Sequence, residues 1–167
     1  MDLFEDYLLQ VELLKEQIPD LAKAILIEHK DVIIGLLQEQ LGKGEDKWGL
    51  SLHFDHVNAW GVESSGDGYY AESTEKFYAA NLFPIKEKKT DAPYNFEWTG
   101  DTFEMMDIDV KKEHFDIFSR DGKFKMLKEA YGSDAFDLTE EHNEMINEQM
   151  LLPLLDEKLA EKLFHII

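Results

Sequence analysis

Between Tyr94 and Ser119 the spacing of apolar residues changes from helical to alternating. A chain that changes period in this way has to fit a sheet and helices around one core. Thr99-Gly100-Asp101 reads as a turn, because Gly takes positive φ at no steric cost and Asp bonds nearby backbone. Apolar side chains then fall at Phe103, Met105, Ile108 and Val110, with Asp107, Asp109 and Lys111 between them. The phase shifts once, at Met105-Met106, which predicts a bulged strand. Phe115 and Ile117, with Asp116 and Phe118 on the other side, follow Lys111-Lys112-Glu113-His114. The expectation is an antiparallel hairpin over about 101–119 with a four-residue connection.

Helical spacing dominates on both sides. Leu3, Phe4, Tyr7, Leu8, Val11, Leu14 and Ile18 form one stripe, with Asp2 as N-cap. Pro19 disfavours helix at the residue before it, so the first helix should end at Ile18 and Asp20 should cap the next segment. Val32, Ile33, Leu36, Leu37 and Leu41 continue the rhythm after a break near His29-Lys30-Asp31, and Gly42-Lys43-Gly44 stops it. Trp48 to His56 alternates at Leu50, Leu52 and Phe54, a strand pattern. Tyr69 to Asn81 reads as a helix between loops. Beyond the Arg120-Asp121-Gly122 turn, Phe124, Leu127 and Tyr131 make a short helix that Gly132 stops. Thr139 is placed to cap a further helix with Glu140 and Glu141 in its first turn. Pro153 either kinks that helix or starts a last one carrying Leu154, Leu155, Leu159, Leu163 and Phe164. The fold class is therefore α+β in a single domain over 1–167. It has N-terminal helices over 3–41, a β-containing middle over 48–119 and C-terminal helices over 123–167.

Charge and composition narrow the function. The net charge is −19, which repels nucleic-acid backbone and anionic membrane. No apolar run approaches the ~20 residues that span a bilayer. The acidic start, Met1-Asp2-Leu3-Phe4-Glu5-Asp6, argues against a secretory signal. With no cysteine there is neither a disulfide nor a thiolate ligand or nucleophile.

Chemistry-bearing patterns are few. His53, Asp55 and His56 are metal-ligand types, but on a strand His56 points away from the other two. Asp107 and Asp109 lie about 7 Å apart on one strand face, a spacing within reach of two-carboxylate glycoside chemistry but also that of an outward polar face. Neither Asp55 to Asp67 nor Asp121-Gly122 has calcium-loop spacing. There is no Gly-x-Gly-x-x-Gly, Walker or Gly-x-Ser-x-Gly run. The aromatics from Tyr69 to Trp98 could stack bases, but the basic groove that must accompany stacking is missing. A non-enzymatic protein without cofactor or metal is the expectation.

One resemblance covers residues 28–150. Gln40-Leu41, Tyr70-Ala71, Thr99-Gly100-Asp101-Thr102-Phe103, Ser119 to Lys123 and Leu138 to Asn143 occur in an order that resembles small structural proteins of tailed phages of Bacteroidetes, crAss-like phages among them. More distantly the chain is similar to tail-completion and head–tail connector proteins. It departs from the pattern in a long insert from Phe54 to Gly68. The resemblance brings no catalytic residues. It implies a virion protein forming a ring at the portal or neck, in the host cytoplasm during assembly. Its partners would be itself, the portal and other neck or tail proteins, and it would line a DNA channel without binding specific sequence. Candidate interface residues are Thr99, Gly100, Phe103 and Phe118 on the hairpin and Leu151, Leu155 and Phe164 at the C-terminus. From charge alone, the alternative is an acidic DNA mimic that inhibits a basic DNA-binding partner.

Overall fold

Two amphipathic helices, a small sheet and a helical C-terminus share one apolar cluster. The computed structural model describes residues 3–50, 52 and 101–164. Helix α1 spans Leu3–Glu28 and α2 spans Lys30–Lys43. A short helix, α3 (Asp101–Glu104), leads into β1 (Met106–Val110) and β2 (Phe115–Ser119). Then come α4 (Lys123–Tyr131), a 3-10 turn (Ser133–Phe136), α5 (Glu140–Glu144), a π-helical turn (Met145–Leu151) and α6 (Leu152–Phe164). The expected helix over 69–81 and the far end of the expected 48–56 strand lie outside the described residues.

Helix α1 does not end at Ile18: it runs through Pro19, which lies inside it. A proline in a helix interior removes one hydrogen bond and costs about 3 kcal/mol. Here Leu14 on one side and Ile25 on the other are buried on the same stripe. That stripe packs against β1, the π turn and α6, so tertiary burial offsets the missing bond. Pro19 itself is exposed. We expect Pro19→Ala to stabilise the protein by about 1–2 kcal/mol, roughly 2–8 °C in Tm. Loss of the chain stiffening that proline gives the unfolded state limits the gain. A thermal melt in which the alanine variant is no more stable would mean that the proline costs this helix nothing.

The break falls at His29. Its N–H donates to Ile25 O at 3.0 Å, and its carbonyl accepts from Val32 N at 3.0 Å. Ile33, Ile34, Leu37 and Leu41 of α2 are buried. Gly44, at φ 74°, closes the helix as the glycine pattern predicted. The segment from Trp48 does not start as a strand. Asp46 Oδ1 accepts from Trp48 N and Leu50 N, both at 2.9 Å, and Gly49 sits at φ 71°. A side-chain acceptor and a left-handed glycine outcompete the alternation of Leu50 and Leu52. Leu52 then returns to the core, its N–H donating to Gly44 O at 2.7 Å.

The hairpin is antiparallel, with Met106 opposite Ser119, Ile108 opposite Ile117 and Val110 opposite Phe115. Lys111 N donates to His114 O at 2.8 Å and closes the four-residue connection. Met106, Val110 and Ile117 are buried on the core face. The expected strand over 103–105 is instead the helical turn α3, so Met105-Met106 marks a change from helix to strand and not a bulge. Side chains account for that change. Ser119 Oγ donates to Thr102 O at 2.8 Å, Thr102 Oγ1 donates to Asp121 Oδ2, and Arg120 N donates to Met105 O at 3.1 Å. Together they fold α3 back against the end of β2.

Gln40 is the fully buried polar side chain of α2. Its Nε2 donates to Asp137 O at 2.9 Å and, more weakly, to Glu45 O at 3.4 Å. Its Oε1 accepts from Thr139 N at 3.0 Å. The carboxamide thus fastens α2 to the segment that enters α5, where Thr139 Oγ1 caps the helix by accepting from His142 N at 3.2 Å. Beneath it lies Phe136, 2 % exposed, edge-on to Phe124 with ring centroids 5.0 Å apart. Pro153 belongs to the first turn of α6, directly after the π turn. A proline ring clashes with the carbonyl four residues earlier, and the wider π turn relieves that crowding.

Candidate functional site

The site is a cleft of about 1290 Å³ between the helices, the hairpin connection and the segment entering α5. Pro19, Ala22 and Leu26 of α1 and Leu36 of α2 form one wall. Lys111 to His114, Leu138 to Asn143 and Met145 also line it. Lysines line it from several elements, and three of them are paired with acids. Lys43 meets Glu39 at 2.8 Å, Lys47 pairs with Asp134, and Lys111 pairs with Asp109. Hydrogen bonding to these acids raises the pKa of each lysine, so all three are more firmly cationic than free lysine. In return Lys43 holds Glu39 below the usual carboxylate range. His142 lines the cleft, and its Nδ1 is the one buried side-chain polar atom among the described residues without a hydrogen-bond partner.

The acidic pair of β1 is not arranged as an acid and a base. Asp107 receives Lys30 Nζ at 2.9 Å and Arg120 Nη2 at 2.6 Å. The Lys30 hydrogen bond, with the Ile108 N–H behind it, holds its carboxyl below the ordinary range. A general acid needs the opposite shift. Asp121 is lowered as well, chiefly by the Thr102 hydroxyl. A depressed folded pKa contributes stability that is present above the unfolded value near pH 4 and lost as pH falls through the folded one. Acidification also relieves the self-repulsion of a chain at −19, so the two effects oppose each other. The comparison with Asp107→Asn separates them. The variant should be less stable than the parent at neutral pH, and the gap should close as pH falls below the unfolded value near 4 and through the lowered folded one. A gap that stays constant in urea titrations across that range would show that the Asp107 carboxylate contributes nothing through its charge.

Of the interface candidates, Thr99 and Gly100 lie outside the described residues. Phe103, Phe118 and Leu151 are half-buried and pack against the core cluster, and Leu155 is half-buried on α6. Phe164 stands out at 78 % exposure. His53, Asp55, His56 and the aromatics from Tyr69 to Trp98 also lie outside the described residues. Among those described, no group of three or more His, Asp or Glu could hold a metal ion, and no helix is long and apolar enough to cross a membrane. Sequence reasoning missed Gln40 as a structural tie. The signal was there: Gln40 falls on the stripe of Ile33 and Leu37, a polar residue at a core position. Comparison with protein-family models, curated proteins and solved structures finds no match.

Proposed function

We propose that this chain is a structural subunit of a tailed-phage virion that assembles into a ring at the portal or neck. The observation that carries this reading is apolar surface on separate elements. Trp48 and Leu50, 62 % and 61 % exposed, project from the turn that Asp46 fixes, while Leu152 and Phe164 project from α6. A ring closes by head-to-tail contacts, in which one patch of each copy meets a different patch of the next. The order of motifs from Gln40 to Asn143 supports the same assignment. An acidic lumen would let DNA pass without adhering.

Light scattering, with and without a candidate portal protein, tests it. The expected result is a discrete ring, or a subunit that joins the portal in fixed stoichiometry. Trp48→Ser combined with Leu50→Ser should abolish that assembly and leave the melting temperature within about 2 °C, because neither side chain is buried. A monomer that ignores the portal sinks the proposal. The charge of −19 favours a second reading in that event, an acidic mimic of DNA, recognised by salt-sensitive binding to a basic DNA-binding enzyme.

A further inference from the structure

We infer that the π turn is a register switch that decides which face α6 turns toward α1. From Glu140 to Phe164 the chain is one unbroken helix, made of α5, the π turn and α6. Its more enclosed positions come in pairs. Met145 and Ile146 are followed by Met150 and Leu151, Leu154 and Leu155, Lys158 and Leu159, and Lys162 and Leu163, while the residues between these pairs are exposed. Lysines belong to this set and Leu152 does not, so burial and not apolarity marks the inward side. Each pair follows the one before by four residues, as successive turns of an α-helix do, except for the first step, which is five. That step spans the π turn, whose last bond runs from Leu152 N–H to Asn147 O, five residues back. The helix therefore carries one residue more than α geometry would hold. One residue is about 100° of rotation, and the π turn swings all of α6 by that amount.

The swing selects the face. With it, Leu155, Leu159 and Leu163 turn inward, α6 packs on α1, Lys158 meets Glu28 at 3.6 Å, and Lys162 Nζ donates to Gln17 Oε1 at 2.9 Å. In an uninterrupted α-helix the four-residue steps from Met145 and Ile146 would turn Pro153, Glu157 and Glu161 inward and put those leucines outside. Two carboxylates turned toward α1, where Glu28 already stands, oppose docking, so in that register α6 is released. Pro153 holds the π register. In an α turn its ring would meet the carbonyl four residues earlier, and it has no N–H to donate. The grip on α1 is light. No α6 side chain is fully buried, and both polar ties lie at the surface, where such contacts contribute little. Two registers separated by one proline and light packing make a bistable element. The inference stands on this helix and does not depend on the virion reading.

Hydrogen exchange of the full chain, read by mass spectrometry over 152–164 with the hairpin as internal reference, tests it. Pro153→Ala frees the α register, so exchange over 152–164 should rise roughly tenfold or more while the hairpin holds. In an ordinary helix the same substitution would slow exchange, because proline is the poorer helix former. Deleting Gln149 in the Pro153→Ala background removes the extra residue. An α-helix then presents Leu155, Leu159 and Leu163 inward again, and exchange should return to within about twofold of the parent. A deletion from a helix without an extra residue would instead turn everything beyond it away by about 100°. Deleting exposed Glu148 in place of Gln149 should rescue equally, which separates the turn from any one side chain. Exchange that Pro153→Ala leaves unchanged or slows overturns the inference, because no second register then competes. Exchange that stays raised after both deletions overturns it as well, and so does loss of hairpin protection in either, because the extra residue would not then be what sets the face.

Discussion

Gln40→Leu is expected to lower the free energy of unfolding by about 3 kcal/mol, with little change in the denaturant slope. The substitution keeps the helix propensity and the approximate volume of the side chain. It removes the acceptor of Thr139 N and the donor to Asp137 O and Glu45 O. Each buried backbone group left without a partner costs about 1–3 kcal/mol, and the gain from burying extra carbon offsets part of that. Gln40→Glu provides the contrast. It preserves the acceptor for Thr139 N but sets a carboxylate against the Asp137 carbonyl in a fully buried position, so it should be at least as damaging at neutral pH. It should recover on acidification, when the protonated acid can donate again. Urea titrations in which Gln40→Leu matches the parent within about 0.5 kcal/mol would remove the carboxamide from any role in tying α2 to α5.

Phe136→Ala should cost about 3–5 kcal/mol, a large share of the roughly 5–15 kcal/mol that a domain of this kind has. The ring is 2 % exposed and meets Phe124 at an interplanar angle of 73°, an edge-to-face pair. Its removal leaves a cavity in the buried cluster that the helices and the hairpin share, and incomplete collapse around that cavity adds to the cost. Phe124→Ala should cost less, because that residue sits on short α4. A double-mutant cycle between the two should yield a coupling of about 0.5–1.5 kcal/mol. Additive losses would mean that the rings contribute only their separate burial. Phe136→Leu, which refills most of the volume, should recover more than half the loss.

Local rules made much of this fold legible. The alternation of Ile108 and Val110, the four polar residues after it and the return at Phe115 and Ile117 give the hairpin connection and register without tertiary information. Phe124, Leu127 and Tyr131 with Gly132 give α4, and Thr139 gives the cap of α5. The failures share a cause. Pro19 is read in the sequence by its effect on the residue before it, and Thr102 and Asp46 give no local signal at all, but the outcomes at all three depend on distant partners or on side-chain bonds to backbone. The stripe of Leu14 and Ile25 carries α1 past Pro19. Asp121, nineteen residues along, holds Thr102 in a helical turn. Asp46 gathers Trp48 and Leu50 into a turn where alternation predicted a strand. The π turn left no mark on apolar spacing, and only Pro153 hinted at it.

The Gln40 tie joins positions 97 and 99 residues apart. The rest of the core has the same long reach: Ile33, Leu37 and Leu41 share one cluster with Met106, Val110, Phe136 and Ile146. A ribosome adding about 5–20 residues per second needs on the order of 5–20 s to make the chain between the two halves of that cluster. Through that interval the nascent chain holds the apolar side of α2 without the residues that later cover it. The synthesis-time hazard of this protein is therefore concentrated in its first forty residues, and a chaperone that meets the chain at the exit tunnel would find its binding stretch there.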